Sequence, residues 1–230
     1  MSEHWFISGA NRGLGLELAR QLVARGDRVS ASVRNEAAGR ALVAQIAPQH
    51  ARVETYSFDM RDEAAIADAA RTVQAPIDVL VANAGAFGPQ AQSARTIDYA
   101  AALDLFSINT LGPLRLANAF AAKLNGAPNP RIALMSSVLG SMAQVDASTA
   151  IYSATKAALN KFGRCLAEEL KPHGICVVIL HPGWVRTDMG GPNAPLSPPE
   201  SVAGMIATLD GLTLKNSGAF LDYAGKAVAW

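Results

Sequence analysis

Tyr152-Ser153-Ala154-Thr155-Lys156 sets a phenol and an ammonium four positions apart. On a helix, positions i and i+4 share one face, so the two side chains project side by side. A free phenol has a pKa of about 10 and becomes a usable proton carrier near neutrality only when a neighbouring cation favours its anion. A Tyr-x-x-x-Lys pair alone is common and most often structural. Its surroundings therefore decide. Ser136-Ser137 closes an apolar run that begins at Arg131, fifteen positions before the tyrosine. Near the other end of the chain, Ser8-Gly9-Ala10-Asn11-Arg12-Gly13-Leu14-Gly15 lies between an apolar run and a helical pattern. Glycines serve any tight turn. Between a strand and a helix they also let the backbone approach a pyrophosphate, whose charge the helix N-terminus favours.

The elements that would position these groups alternate along the chain. Trp5–Ile7, Val29–Val33, Val53–Phe58, Ile77–Ala82, Arg131–Ser136, Ile175–Leu180 and Gly218–Asp222 read as strands. Between them, Leu14–Val23 has helical spacing and is ended by Gly26, and Ala37–Ile46 is a helix stopped by Pro48. Further helices are expected over Asp62–Val73, in two pieces joined or kinked around Gly112-Pro113, over Ala150–Leu170, and from Pro198-Pro199-Glu200 onward. Apolar strands alternating with helices predict an α/β fold: a doubly wound parallel sheet of about seven strands, helices on both faces. Residues 1–230 read as a single domain, with 186–200 a short Gly/Pro-rich loop at the rim of a site.

Composition narrows the partners. Half of the residues are hydrophobic, 17% are charged, and the net charge is +1, so no global field attracts nucleic acid or an anionic membrane. No apolar run approaches the roughly 20 residues that span a bilayer. The start reads as no signal peptide, and a cytoplasmic protein is expected. Cys165 and Cys176 read as two buried reduced thiols, and no metal site is expected.

The glycine spacing G-x-x-x-G-x-G, followed by Asp59 after the third strand, Asn83-Ala84-Gly85 after the fourth and Tyr152-x-x-x-Lys156 after the fifth, resembles the short-chain dehydrogenase/reductase family. The resemblance runs from Trp5 to Trp230. It implies a Rossmann-type dinucleotide-binding domain with Tyr152 as general acid/base, Ser137 holding the substrate oxygen, and Lys156 both tuning the phenol and holding the nicotinamide ribose. Asn109, near the Gly112-Pro113 kink, is implied to hold a water that relays protons to Lys156. Ser137 is favoured over Ser136. Cofactor contacts are implied at Ser8, Gly9, Asn11, Arg12, Gly13, Leu14 and Gly15, at Arg34, Asp59 and Met60, and at Asn83, Ala84 and Gly85. Tyr152, Lys156, Pro182, Gly183, Val185 and Thr187 complete the set. His181 reads as a packed histidine.

No acidic residue stands between Arg28 and Asn35, where an NAD site carries a carboxylate for the ribose hydroxyls. Arg34, with Arg12 nearby in the expected fold, suits a 2′-phosphate instead, so NADP(H) is expected in preference to NAD(H). Two solvated surface arginines are the bland alternative.

The finer resemblance is to small carbonyl-reductase-like members and the C-factor (C-signal) group, on Met135-Ser136-Ser137, Gly183–Gly191 and Tyr223–Trp230. It implies an NADP(H)-dependent oxidoreductase acting on a small carbonyl or alcohol. The other reading is a signalling or regulatory protein that binds the dinucleotide without turnover. The short span from Asp188 to Pro199 predicts an open site, with Phe87, Leu139, Met142, Val145 and Trp184 as candidate lining. A homodimer or homotetramer is implied, with Ala117–Phe120 and Leu159–Leu166 as its surface.

Overall fold

Trp5 and Ile7 point to one face of the first strand and Phe6 to the other, and each is fully buried. That is the mark of a strand covered on both sides. The computed structural model describes residues 2–46, 53–73 and 76–230. Its strands are β1 (His4–Ser8), β2 (Arg28–Val33), β3 (Val53–Ser57), β4 (Val79–Ala82), β5 (Arg131–Met135), β6 (Cys176–His181) and β7 (Phe220–Asp222). They form one sheet of order β3-β2-β1-β4-β5-β6-β7, and every neighbouring pair is parallel. This is the doubly wound α/β architecture that the strand–helix alternation predicts.

The helices are α1 (Gly13–Arg25), α2 (Glu36–Ile46), α3 (Glu63–Thr72), α4 (Tyr99–Phe106), α5 (Gly112–Leu124), α6 (Ala150–Leu170) and α7 (Pro198–Asp210). One core packs Leu18, Leu22, Leu42, Val202 and Met205 against the β1 face of Trp5 and Ile7. The other packs Ile66, Leu116, Phe120, Leu159 and Leu166 against Phe6, Leu80 and Ile132. The chain reverses direction across the sheet between β3 and β4, so the carboxyl ends of β1 and β4 bound a crevice at this switch point, where ligands bind in open α/β sheets.

Helix boundaries follow local chemistry. Asp62 caps α3 by accepting from Ala65 N at 2.9 Å, and Ser197 and Glu200 form a reciprocal capping box on α7. Pro48 lies outside the described residues. The two helices expected to meet around Gly112-Pro113 are α4 and α5, joined by a π-helical turn, Ser107–Leu111, in which Gly112 N donates back five residues to Ser107 O. The wider register accommodates the proline at the start of α5.

One expectation is corrected: Cys165 is exposed on α6, while Cys176 is buried in β6. In the stretches 117–120 and 159–166, Asn118, Lys161, Phe162, Arg164 and Cys165 are exposed, whereas Ala117, Phe120, Leu159 and Leu166 are buried in the chain's own core. The periodicity marks their face as apolar without saying whether sheet or partner covers it. The exposed apolar residues of α4 and α6 are Tyr99, Leu103 and Phe162. Among the described residues no helix is long and apolar enough to cross a membrane.

α6 carries the Tyr-Lys pair, and Gly163 sets how closely it lies on the sheet. A Cβ there would come within 2.8 Å of Ile179 Cγ1 and 2.9 Å of Leu134 Cδ1. Gly163→Ala is therefore expected to destabilise the protein by about 1–3 kcal/mol through overpacking, although alanine favours an isolated helix by about 1 kcal/mol. A lowered urea midpoint at unchanged slope would show it, whereas a raised midpoint would show that α6 can lift without cost.

Candidate active site

The phenol of Tyr152 is buried, and Ser137 is the polar side chain that acts on it. Burial pushes the phenol up to about 12, and the Ser137 hydrogen bond offsets part of that rise. Lys156, one turn further along α6, donates from Nζ to Met135 O at 2.8 Å. Burial pushes the ammonium down to about 8, and Nζ stands 5.8 Å from the centre of the Tyr152 ring. The expectation that Lys156 lowers the tyrosine is thus not met in the protein alone. Desolvation penalises both charged forms, and the ammonium is directed at a strand carbonyl.

The serines separate cleanly. Ser136 Oγ donates to Asn160 Oδ1, whose amide in turn donates to Gly140 O at 3.0 Å, so Ser136 serves to fix the β5–α6 loop. Ser137 is left facing Tyr152, its Oγ also accepting from Leu139 N at 3.2 Å. Asn109 lies in the π-helical turn and is fully buried. Its amide is committed to Ala86, accepting from N at 2.9 Å and donating to O at 2.8 Å, with a weaker donation to Thr155 Oγ1. A Cβ at Gly85 would lie 3.2 Å from Asn109 Oδ1 and 3.7 Å from Lys156 Nζ, so Gly85 covers the point where these two groups converge.

The glycine loop divides into inward and outward parts. Ser8 is buried, and its Oγ accepts from Ala84 N at 3.0 Å, while Asn83 Nδ2 donates to Ser8 O at 2.9 Å and Gly9 O at 3.2 Å. These bonds latch the β1 loop to the Asn83-Ala84-Gly85 turn across the switch point. Gly9 packs on Ala84, and a Cβ at Gly15 would meet Gly9 O at 2.3 Å, so both glycines are needed for loop packing. Asn11, Arg12 and Gly13 are the exposed members and Leu14 is half-buried. The first turn of α1 has no side-chain cap and no acidic residue, which leaves its N–H groups and positive dipole end available to an anion.

Arg34 is exposed at the end of β2. Its charge helps hold the Asp59 carboxyl low, at about 2, where the main cause is a two-pronged grip by Arg61 at 2.8 Å on each oxygen. Arg61 also reaches Asp104 at 2.7 Å. Sequence reasoning passed over Arg61, although it follows the Asp59-Met60 pair directly. Met60 is buried, its side chain against Gly112. Arg12 pairs with Asp188 at 3.0 Å, both well exposed. Such a surface pair contributes about 0–1 kcal/mol and yields readily to a stronger anion.

On the far side, Pro182 O accepts from Ser201 Oγ at 2.6 Å, Gly183 packs on Leu196 and Tyr223, and Val185 bridges to Leu196. Thr187 Oγ1 accepts from Gly190 N at 3.1 Å, and its methyl faces Gly13, which brings the post-β6 segment onto the glycine loop. The 186–200 loop is internally tied, with Arg186 donating to Ala194 O and Pro195 O. His181 Nδ1 has no hydrogen-bond partner, and burial pushes the ring down to about 4, so it packs as a neutral residue.

A dinucleotide-type loop at β1, a buried Tyr-Ser-Lys group after β5 and the crevice between them define a class of oxidoreductase. Residues 3–195 match the family described as short chain dehydrogenase, and the chain belongs to it. Among solved structures it is similar to the NADPH-bound carbonyl reductase from chicken fatty liver, at 32% identity and TM-score 0.92, covering 100% of this chain and 99% of that one. It is likewise similar to a carbonyl reductase from Pseudomonas aeruginosa PAO1 in complex with NADP, at 35% identity and TM-score 0.88 over the whole of both chains. The C-signal protein of Myxococcus xanthus is 44% identical over 156 residues, 67% of this chain and 93% of that protein.

Proposed function

We propose that the protein reduces an aldehyde or ketone with NADPH, Tyr152 donating the proton, assisted by Ser137, Lys156 and Asn109. The observation that carries this reading is the buried Tyr152 with Ser137 acting on its phenol and Lys156 one turn away, at the carboxyl edge of the sheet.

The residues fit the cofactor. The uncapped α1 N-terminus suits the pyrophosphate, Arg34 and Arg12 the 2′-phosphate, and the half-buried Gly85, with no side chain of its own, the nicotinamide end. Bound NADPH would supply the hydride. Ser137 then holds the substrate oxygen, and Tyr152, protonated at neutral pH, gives its proton to that oxygen as the carbonyl becomes an alcohol. Lys156 stabilises the tyrosinate left behind, and Asn109 keeps its turn in register beneath Gly85. A protein that only binds the dinucleotide has no need of this converging set, which disfavours a purely signalling role. Phe87 packs its ring 5.0 Å from that of Tyr152. Leu139 packs on the Tyr152 cluster, and we read the exposed Met142, Val145 and Trp184 as an apolar rim above it. An open rim of this kind favours small apolar carbonyl compounds.

Separate titrations with NADPH and NADH, followed by nicotinamide fluorescence, test the cofactor reading. NADPH is expected to bind more tightly. Arg34→Asp should weaken NADPH about 10–100-fold, the loss of charge-assisted bonds to a phosphate, and leave NADH nearly unchanged. Equal binding of the two cofactors to wild type would overturn it. A panel of aldehydes and ketones then tests turnover.

A further inference from the structure

Gln92 lies in the irregular stretch between β4 and α4, yet it is only 1% exposed. Its Nε2 donates to Phe87 O at 2.9 Å and Pro89 O at 3.0 Å, and its Oε1 accepts from Tyr152 N at 2.8 Å, sixty residues away. The amide orientation is fixed by its partners, since two carbonyls can only accept and a backbone N–H can only donate. Tyr152 N belongs to the first turn of α6, whose N-cap residue Thr149 makes no side-chain capping bond. Gln92 therefore supplies from another element the acceptor that this turn lacks. The same amide holds the Phe87 backbone, which seats the Phe87 ring on that of Tyr152. Tyr152, Ile151 and Leu105 form a small apolar cluster of their own, separate from the two main cores, with Ala86, Ile97, Ala102 and Leu139 packed against it.

We infer that Gln92 is a positioning residue for Tyr152: it clamps the Phe87–Pro89 loop to the start of α6, so that Phe87 holds the phenol in its buried place beside Ser137. This rests on the functional reading of Tyr152 given above. Gln92 acts through Phe87 and the α6 backbone and touches neither substrate nor cofactor.

Two substitutions separate its tasks. Gln92→Met removes all three hydrogen bonds at similar volume. Gln92→Glu keeps an acceptor for Tyr152 N but sets a carboxylate against two carbonyl oxygens, which releases the loop. If Gln92 only capped the helix, glutamate would rescue it. Both variants are instead expected to lower kcat about ten-fold or more, as a misplaced catalytic group does. NADPH affinity should stay within about two-fold of wild type, because transition-state rather than ground-state contacts are lost. Phe87→Ala should reproduce the loss, and adding it to Gln92→Met should cost little further, since the two residues act as one unit. Aromatic NMR gives a readout free of turnover: the Phe87–Tyr152 ring contact should vanish in Gln92→Met and Gln92→Glu. Wild-type kcat in Gln92→Glu or Phe87→Ala would overturn the inference, as would a ring contact that survives in Gln92→Met. If the wild type reduces no carbonyl compound, the functional reading fails, and the ring contact alone decides the positioning role. Should Gln92→Met not fold, Gln92→Glu and Phe87→Ala decide it.

Discussion

Tyr152→Phe is expected to lower kcat for carbonyl reduction by about 10²–10⁴-fold, the range spanned by removal of a positioned general acid. The substitution deletes one oxygen and leaves the ring against Phe87, Ile151 and Leu105. Ser137 Oγ keeps its bond from Leu139 N. Because burial already holds the phenol in its neutral form, its loss exposes no buried charge, and the fold should be unaffected. NADPH affinity should also persist, since the α1 N-terminus, Arg34 and Lys156 remain. The measurement is kcat on whichever carbonyl compound the wild type reduces, paired with fluorescence titration of NADPH. Activity within about three-fold of wild type would remove Tyr152 from the role of donor, since general acid catalysis contributes far more.

Lys156→Met should both abolish reduction and make the cofactor-free protein more stable. The ammonium is buried, and burial pushes it down to about 8 from the ordinary 10.5 of a lysine. Between those values the unfolded chain holds more protons than the native one, so stability rises with pH across that window. Below it the native state carries the full penalty, about 3 kcal/mol for a shift of this size. Removing the ammonium lifts the penalty and leaves Met135 O without its donor, a loss of about 1 kcal/mol. The net gain near neutral pH is about 2 kcal/mol, or roughly 4–8 °C in Tm for a chain of this length. That gain should shrink as pH rises from about 8 toward about 10.5. Tm against pH for both proteins without cofactor checks it. A variant less stable than wild type at every pH would mean that the ammonium stabilises the empty site.

Much of this arrangement is legible in the residues before any coordinates. Continuous apolar runs such as Ile132–Met135 and Val177–Leu180 imply strands buried on both faces, and the sheet order agrees. α6 spans Ala150–Leu170 as its spacing predicts, and Ser137, Tyr152 and Lys156 do converge. What the sequence hides is mostly tertiary. Proline chemistry announces a joint or kink at Gly112-Pro113, but the π register that forms it depends on packing around Asn109 and Met60. Cys165 sits in an apolar-looking stretch, and only the rotation of α6 on the sheet puts it outside. Gln92 stands among alanines, glycine and proline with no motif around it. Its three partners are set by a loop path that no local pattern encodes. Nor does any local pattern show that Asp188, 176 positions away, engages Arg12.

The seam between β1 and β4 has a kinetic consequence. The latch of Ser8 with Asn83 and Ala84 joins residues about 75 positions apart, and His4 N reaches Asp78 across 74. Closing so long a loop costs entropy before any contact rewards it, which makes folding slow in chains dominated by such pairings. The β1–α1–β2 crossover and the α6–β6 unit close over much shorter stretches. Both sides of the nucleotide crevice therefore come together only when the two halves of the sheet dock. In a refolding experiment, competence to capture NADPH should emerge with the last phase, after most helix signal has returned, so the crevice serves as a timer for completed assembly.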